Sequence, residues 1–378
     1  MADWVPYILP AFIISMTIVV FVHELGHFLA ARIFGVRVEA FSIGFGRAIG
    51  FGKWRMAMTD RYGTQWKVGW IPLGGYVKFW GDEGVASSTP DHEKLDHATA
   101  QERSASFHFK PVYQRAIIAV AGPAANFVLA FVVFSIMVWA YGDVPAKIGE
   151  VIKGMPADRA GMQAGDVVEA IDGSPVLGFR SDLMHVVTLN EGRSLRFDVR
   201  RGDQRLSFDI KPVTFERSDA FGSKMQLPAI GVKPAPISGP EDVVQFSVGE
   251  ALWRGYKSTY WFVGVTLQFI GKLVTGGGDY EQLSGPIGIA KASGQVLGTF
   301  GLVGLINLIA VLSVSIGLLN LFPIPMLDGG HLAMYGVEAI RGRPLGERLQ
   351  EALGFWIGMP LLVALMLLAT RNDLMKLF

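Results

Sequence analysis

The stretch Phe21-Val22-His23-Glu24-Leu25-Gly26-His27 lies inside a run too apolar to be left in water, and that conjunction limits what the chain can be. His23 and His27 are four residues apart, so on a helix they project from one face, one turn above the other. Glu24 follows the first histidine, angled to reach a water held between the two rings. This H-E-x-x-H spacing supplies two imidazole ligands for a metal and a carboxylate that takes a proton from an activated water. From Val5 to Ile33 the strongly polar residues are His23, Glu24, His27 and Arg32 alone. At about 1.5 Å per residue that length crosses the hydrocarbon core of a bilayer. Ionisable groups at membrane depth are costly, and a metal is a partner that these groups can share. The five-letter pattern arises by chance in many soluble helices; in an apolar span chance is a poor explanation.

Composition agrees with a bilayer. The 378 residues are 51% hydrophobic and 18% charged, with a mean hydropathy of +0.36. This is an integral membrane protein with a sizeable water-facing part. A net charge of +1 gives no basic field for nucleic acid. There is no cysteine, so a zinc site must be made of histidine and carboxylate. Met1-Ala2-Asp3 carries no basic n-region and no cleavage site follows the apolar run, so the first segment is expected to stay as a span.

The expected fold class is a polytopic α-helical membrane protein of about four transmembrane helices, with a membrane-associated β-hairpin and an inserted β-rich domain. The N-terminal membrane part, residues 1–142, holds a span over 5–34, a hairpin region over 44–79 and a span over 112–141. In the hairpin region Trp54–Thr59 and Gln65–Val68 partly alternate around an Asp60–Gly63 turn, and Ile71–Val77 then bends the backbone. An ordinary cytoplasmic hairpin and one dipping into the membrane fit these residues equally. Gly81–Ser106 is polar and reads as a mobile loop. Ala121–Asn126 interrupts the second span, where Asn126 is read as a structural interhelical hydrogen bonder.

Residues 143–215 alternate in short β-like runs, with a hairpin of 194–199 and 206–210 and a short helix over 181–189. Pro156-Ala157-Asp158-Arg159-Ala160-Gly161, continued to Gly165-Asp166, looks like the signature of a PDZ domain, which binds extended peptides along a groove. Residues 216–298 are expected to be a proline-rich linker and an amphipathic helix. That helix, Glu241–Val274, is read as interfacial because Arg254, Lys257 and Lys272 interrupt its apolar face, with 258–275 either interfacial or embedded. Leu283–Gly288 reads as a loop. The C-terminal membrane part, 299–378, holds spans over 300–322 and 353–369, with Leu327-Asp328-Gly329 between them.

Two histidines need a third protein ligand and an open position for water. His92, His97 and His108 fall in polar loop and His185 in the β-rich domain. Asp328 and His331 are the ligand-type groups that immediately follow a span. Loop charge sets the orientation. The N-terminus has no Lys or Arg, whereas Gly35–Pro111 holds ten, which puts that loop inside the cell. The third span then returns the Asp328 region to the side where His23 and His27 lie. A further crossing at Tyr260–Ile270 would place it on the wrong face.

Taken together, His23-Glu24-x-x-His27 in a first span, the PDZ-like insert and Asn320-x-x-Pro323 with Leu327-Asp328-Gly329 resemble the site-2 protease family. Gly122-Pro123-x-x-Asn126 and Ser284-Gly285-Pro286-Ile287 add to the resemblance, which covers nearly the whole chain and is strongest to the bacterial regulator-of-sigma-E protease branch. Many members of that branch carry two PDZ domains; this chain shows one. The resemblance implies a zinc metalloendopeptidase in which His23, His27 and Asp328 hold Zn2+ and Glu24 is the catalytic base. It implies a membrane re-entrant hairpin at 44–79 and a multi-pass protein of the bacterial inner membrane. The N-terminus and PDZ domain would be periplasmic, with the active site near the cytoplasmic side. Expected partners are the lipid bilayer and single-span substrates such as anti-sigma factors already cut outside the cell, together with remnant signal peptides. Asn320 is a candidate for holding substrate, with a helix-terminal structural role as the alternative. The competing reading is a membrane-anchored PDZ adaptor whose metal site, closed by His331, is structural. A peripheral zincin anchored by its helix is a second enzyme reading.

Overall fold

The computed structural model describes residues 4–50, 56–84, 90–218, 224–239, 242–276, 278 and 280–376. It divides into one unit of Met1–Ala130 with Leu283–Phe378 and another of Phe131–Gln282. Among the described residues four helices are long and apolar enough to cross a bilayer: Val5–Ile33, Val112–Tyr141, Pro286–Asn320 and Glu347–Met375. Their outward side chains include Leu9, Ile14, Ile18, Leu302, Trp356 and Leu367, all exposed. Only lipid makes such surfaces tolerable, so the chain is a membrane protein.

In the first unit, the first and third apolar helices meet through small and branched residues. Ala11 and Val19 pack with Leu305 and Ile309, all buried, and Ser15 and Ser313 are buried as well. Without a hydrophobic drive between helices in lipid, such close packing supplies the attraction. The third helix breaks at Gly301, whose φ of 64° and ψ of −158° no helix holds. The crossing part therefore starts near the expected residue 300, but the segment before it is helical. Leu283–Gly288 is not a simple loop: Gly285 caps the helix and Pro286 opens it, the first-turn position that tolerates a missing N–H. Asp373 from the end of the fourth helix accepts from the N–H groups of Gly285 (3.0 Å) and Gly288 (2.8 Å).

Beside the first helix lies a sheet of β1 (Val38–Ala48), β2 (Ala57–Thr59) and β3 (Gln65–Phe79), in the order β1-β3-β2. β1, unforeseen in the sequence, pairs antiparallel with β3 from Val38↔Phe79 through Ile43↔Gly75, and its residues Ala40–Ile43 have Gln65–Val68 as second neighbours. Ile71–Val77 does not leave the strand; Gly74 (φ 91°) absorbs the bend inside β3. Trp54 and Arg55 of the expected hairpin lie outside the described residues. Phe28, Val36, Phe41, Val77, Phe79 and Ile118 form the core that joins sheet and helices. Arg32 fixes the turn by bonding Asp60 at 3.1 Å, and Asp60 also accepts from Tyr62, Thr64 and Trp66. The polar stretch after the sheet is more ordered than expected. It holds capped short helices at His92–Asp96 and Ala100–Ala105, while residues 85–89 lie outside the described set.

The second unit has a four-stranded antiparallel sheet in the order β6-β5-β7-β8 (Ser174–Pro175, Val167–Ile171, Leu195–Arg201, Gln204–Ile210). Ile148, Val168, Leu195, Phe197 and Ile210 fill its core. The expected boundary at 215 falls within a strand. β9 (Val213–Ser218) pairs with β10 (Lys224–Ala229), and β11 (Val232–Pro234) returns to pair with β4 (Ile148–Val151). The domain therefore extends through residue 234, and the amphipathic helix is Val248–Val274.

Candidate active site

Three side chains from two distant segments converge in the first unit. His23 Nε2 lies 3.2 Å from Asp328 Oδ2, and His27 Nε2 lies 3.5 Å from the same oxygen. The two Nε2 atoms are 3.2 Å apart. Tetrahedral zinc with bonds of about 2.0–2.1 Å separates its ligand atoms by about 3.3 Å, so three donors at these spacings fit that ion. Asp328 Oδ2 is buried and accepts no hydrogen bond among the described residues. A buried carboxylate oxygen without a donor, facing two imidazole nitrogens, is a metal cradle rather than a structural pair. Among the described residues no other histidine, cysteine or carboxylate joins this set.

The helices that carry the ligands are shaped for them. Gly26 lies so close to the second helix that a Cβ would come within 2.2 Å of the Ala121 carbonyl oxygen. At Gly122 a Cβ would fall 2.2 Å from His27 Nε2 itself, so the ring occupies the space of the missing side chain. His27 Nδ1 donates to the Ile118 carbonyl at 2.8 Å, leaving Nε2 free of a proton for the metal. His23 Nδ1 is 3.2 Å from the Asn126 amide. A metal-bound Nε2 leaves the proton on Nδ1, so the amide must present its oxygen there, the rotation that gives the buried Oδ1 a donor. Asn126 therefore orients a ligand and is more than the helix-packing residue the sequence suggested. The signal was available: an Asn on a small-residue face of a span.

His23, Glu24, His27, Asn320, Asp328 and His331 all line one cavity of about 260 Å³, together with Gly75–Val77 of β3 and Tyr335. Glu24 takes a hydrogen bond from the Val77 backbone, which ties the carboxylate to the strand. Asp328 opens the helix Asp328–Arg341, entered through Met326 at a φ of 81°, a strained backbone for a residue with a side chain. Burial lowers the pKa of His331 and pushes the Tyr335 phenol up to about 12. His331 stands outside the ligand set, so the metal position keeps an open side toward the cavity. Structural zinc sites are closed by four protein groups; three ligands with a carboxylate beside them mark a catalytic one.

What fold and site define is a hydrolytic metal centre built on membrane helices. Comparison with known proteins gives it a family. The model of peptidase family M50 matches residues 11–365. A relative from Agrobacterium fabrum, provisionally named a zinc metalloprotease, is 43% identical over 374 residues, covering 98% of this chain and 96% of its own. One from Rhizobium meliloti with the same provisional description is 39% identical over 378 residues, 100% and 98% of the two chains. The metalloprotease MmpA of Caulobacter vibrioides is 38% identical over 382 residues, 95% and 93%. A PDZ domain of an SdrC-like protein from Listeria monocytogenes covers 25% of this chain and 88% of its own at 25% identity, with a TM-score of 0.19. The chain belongs to peptidase family M50 and is a zinc metalloendopeptidase of the site-2 protease type.

Proposed function

We propose that this enzyme cuts peptide bonds inside the bilayer, within the transmembrane segments of single-span proteins. The observation that carries the reading is placement: Glu24, His23 and His27 stand on the apolar helix Val5–Ile33, and Asp328 follows another. Bound between His23, His27 and Asp328, zinc would supply a Lewis acid that acidifies water and polarises a carbonyl. Glu24 accepts a proton from the water whose oxygen bonds to the scissile carbonyl carbon. It then delivers that proton to the amide nitrogen as the C–N bond breaks, leaving a carboxylate and an amine. Asn320, lining the cavity at the end of the third helix, holds the substrate backbone.

A helical substrate hides its amides in its own hydrogen bonds and must unwind to be cut. β3 supplies a strand beside the base, and an unwound segment laid along the sheet brings its backbone to Glu24. The charge of the Gly35–Pro111 loop supports a bacterial inner-membrane protein with this site toward the cytoplasm and the PDZ-like domain outside. Anti-sigma-like proteins trimmed outside the cell, and remnant signal peptides, are the substrates that fit.

The test is a reconstituted assay in lipid with a labelled single-span substrate and mass mapping of the products. Cuts within the apolar segment, absent in Glu24→Gln with zinc retained, are expected. Cuts confined to water-exposed flanks, or equal cleavage of water-soluble peptides, would refute the intramembrane reading.

A further inference from the structure

One polar group in the cavity is used neither as a ligand nor as the base. His331 follows Asp328 by three residues and precedes Tyr335 by four, so all three share one face of the helix Asp328–Arg341 and all line the cavity. Its nitrogens are outside the ligand set, and among the described residues its imidazole makes no hydrogen bond. The ring is half-buried and lines the cavity, so its polar edge is available to a bound substrate.

The ring is also held in place. Its neighbour is the Tyr335 ring, with centroids 6.3 Å apart. The Arg115 guanidinium covers Tyr335 at 4.9 Å from the ring centroid. Arg115 is itself fixed by Glu338 at 2.5 Å and by the Lys110 carbonyl at 3.0 Å. The start of the second apolar helix thus braces the face that presents His331. A donor aimed in advance at a point where charge gathers is the arrangement that most lowers an acyl-transfer barrier.

We infer that His331 is a further catalytic residue, whose imidazole N–H donates a hydrogen bond to the scissile carbonyl oxygen as water adds to the carbonyl carbon. It transfers no proton; the bonds made and broken are those Glu24 serves. This rests on the hydrolytic reading above, and the two can fail separately.

The full-length protein in lipid, with zinc measured by atomic absorption, gives the test. For His331→Ala, kcat should fall about 100-fold while KM stays within about threefold. Bound zinc should equal that of the parent. Binding of a phosphonamidate peptide, which mimics the tetrahedral carbon, should weaken by about the same factor, a readout that needs no turnover. His331→Gln keeps a neutral N–H donor and should recover about tenfold of the lost rate. Loss of zinc in His331→Ala would make His331 a ligand and overturn the inference. So would kcat within threefold of the parent, or a lowered melting temperature without rescue by Gln. Cleavage that survives Glu24→Gln would instead overturn the hydrolytic reading, whatever His331 does.

Discussion

Each unit holds a cavity with a buried histidine near a carboxylate, about 260 Å³ in the first unit and about 230 Å³ in the second. Around Asp328 the donors converge on one point and leave an oxygen unsatisfied. Around Asp182, although Arg254 Nε is left without a partner among the described residues, the carboxylate itself is saturated. Its oxygens accept from the Leu177 and Gly178 N–H groups, from Arg254 at 2.7 Å and from Lys257 at 3.3 Å. Burial acts to raise the Asp182 pKa, but these donors hold it below the usual carboxylate range. His185 stacks on Trp261 with centroids 4.6 Å apart and planes at 17°. The orphaned nitrogens of those two rings lie in parallel planes and meet no carboxylate. A carboxylate buried to hold a fold is saturated by donors, as Asp182 is; one buried to hold an ion keeps an oxygen open toward the place where it goes, as Asp328 does. Asp328 belongs to a site, and Asp182 is a strut.

That contrast can be broken by mutation, and the largest effect belongs to the ligands. Asp328→Ala should release zinc and take cleavage to background, measured by metal analysis and product formation on the same sample. The Asp182→Ala change at the matching carboxylate should leave zinc in place. It should instead destabilise the second unit by about 3–5 kcal/mol, since Arg254 is then buried without its partner. Thermal unfolding followed by near-ultraviolet circular dichroism reads this loss.

The next effect is a pH dependence confined to the second unit. Burial lowers the pKa of His185 to about 4. The unfolded chain takes up a proton near its ordinary value of about 6.5, which the folded unit refuses. Stability is therefore complete above about pH 6.5 and declines as pH falls to about 4, by about 3 kcal/mol in all. His185→Phe should flatten that slope in a melting series across the same range. The smallest effect is expected outside the ligand set: Asn126→Leu should weaken zinc about 10- to 100-fold, read by chelator competition. An unchanged affinity would return Asn126 to a packing role.

Much of the first unit can be read from residues alone, because lipid makes its rules strict. An H-E-x-x-H in a span and an aspartate just after another span are rare enough to stand out, and loop charge brings them to one side. β1 was not legible. Val38–Ala48 is covered on both faces near Phe41, so the alternation that marks a half-buried strand is missing. The helix opening at Pro286 was hidden by Gly and Pro, which read as turn until Asp373 is seen capping it from 85 residues away. Residues 216–218 and 224–234 looked like linker because their prolines masked a local hairpin of β9 with β10 and a strand, β11, that needs β4 as a partner. For β1, the Pro286 helix and β11 the deciding contact is distant in sequence.

The central claim is that His23, His27 and Asp328 form an open zinc site. X-ray absorption at the zinc edge of the purified protein measures it most directly. The account predicts two imidazoles and light oxygen donors at about 2.0–2.1 Å, with no sulfur. A third imidazole in the shell, or a shell unchanged by Asp328→Ala, would contradict it.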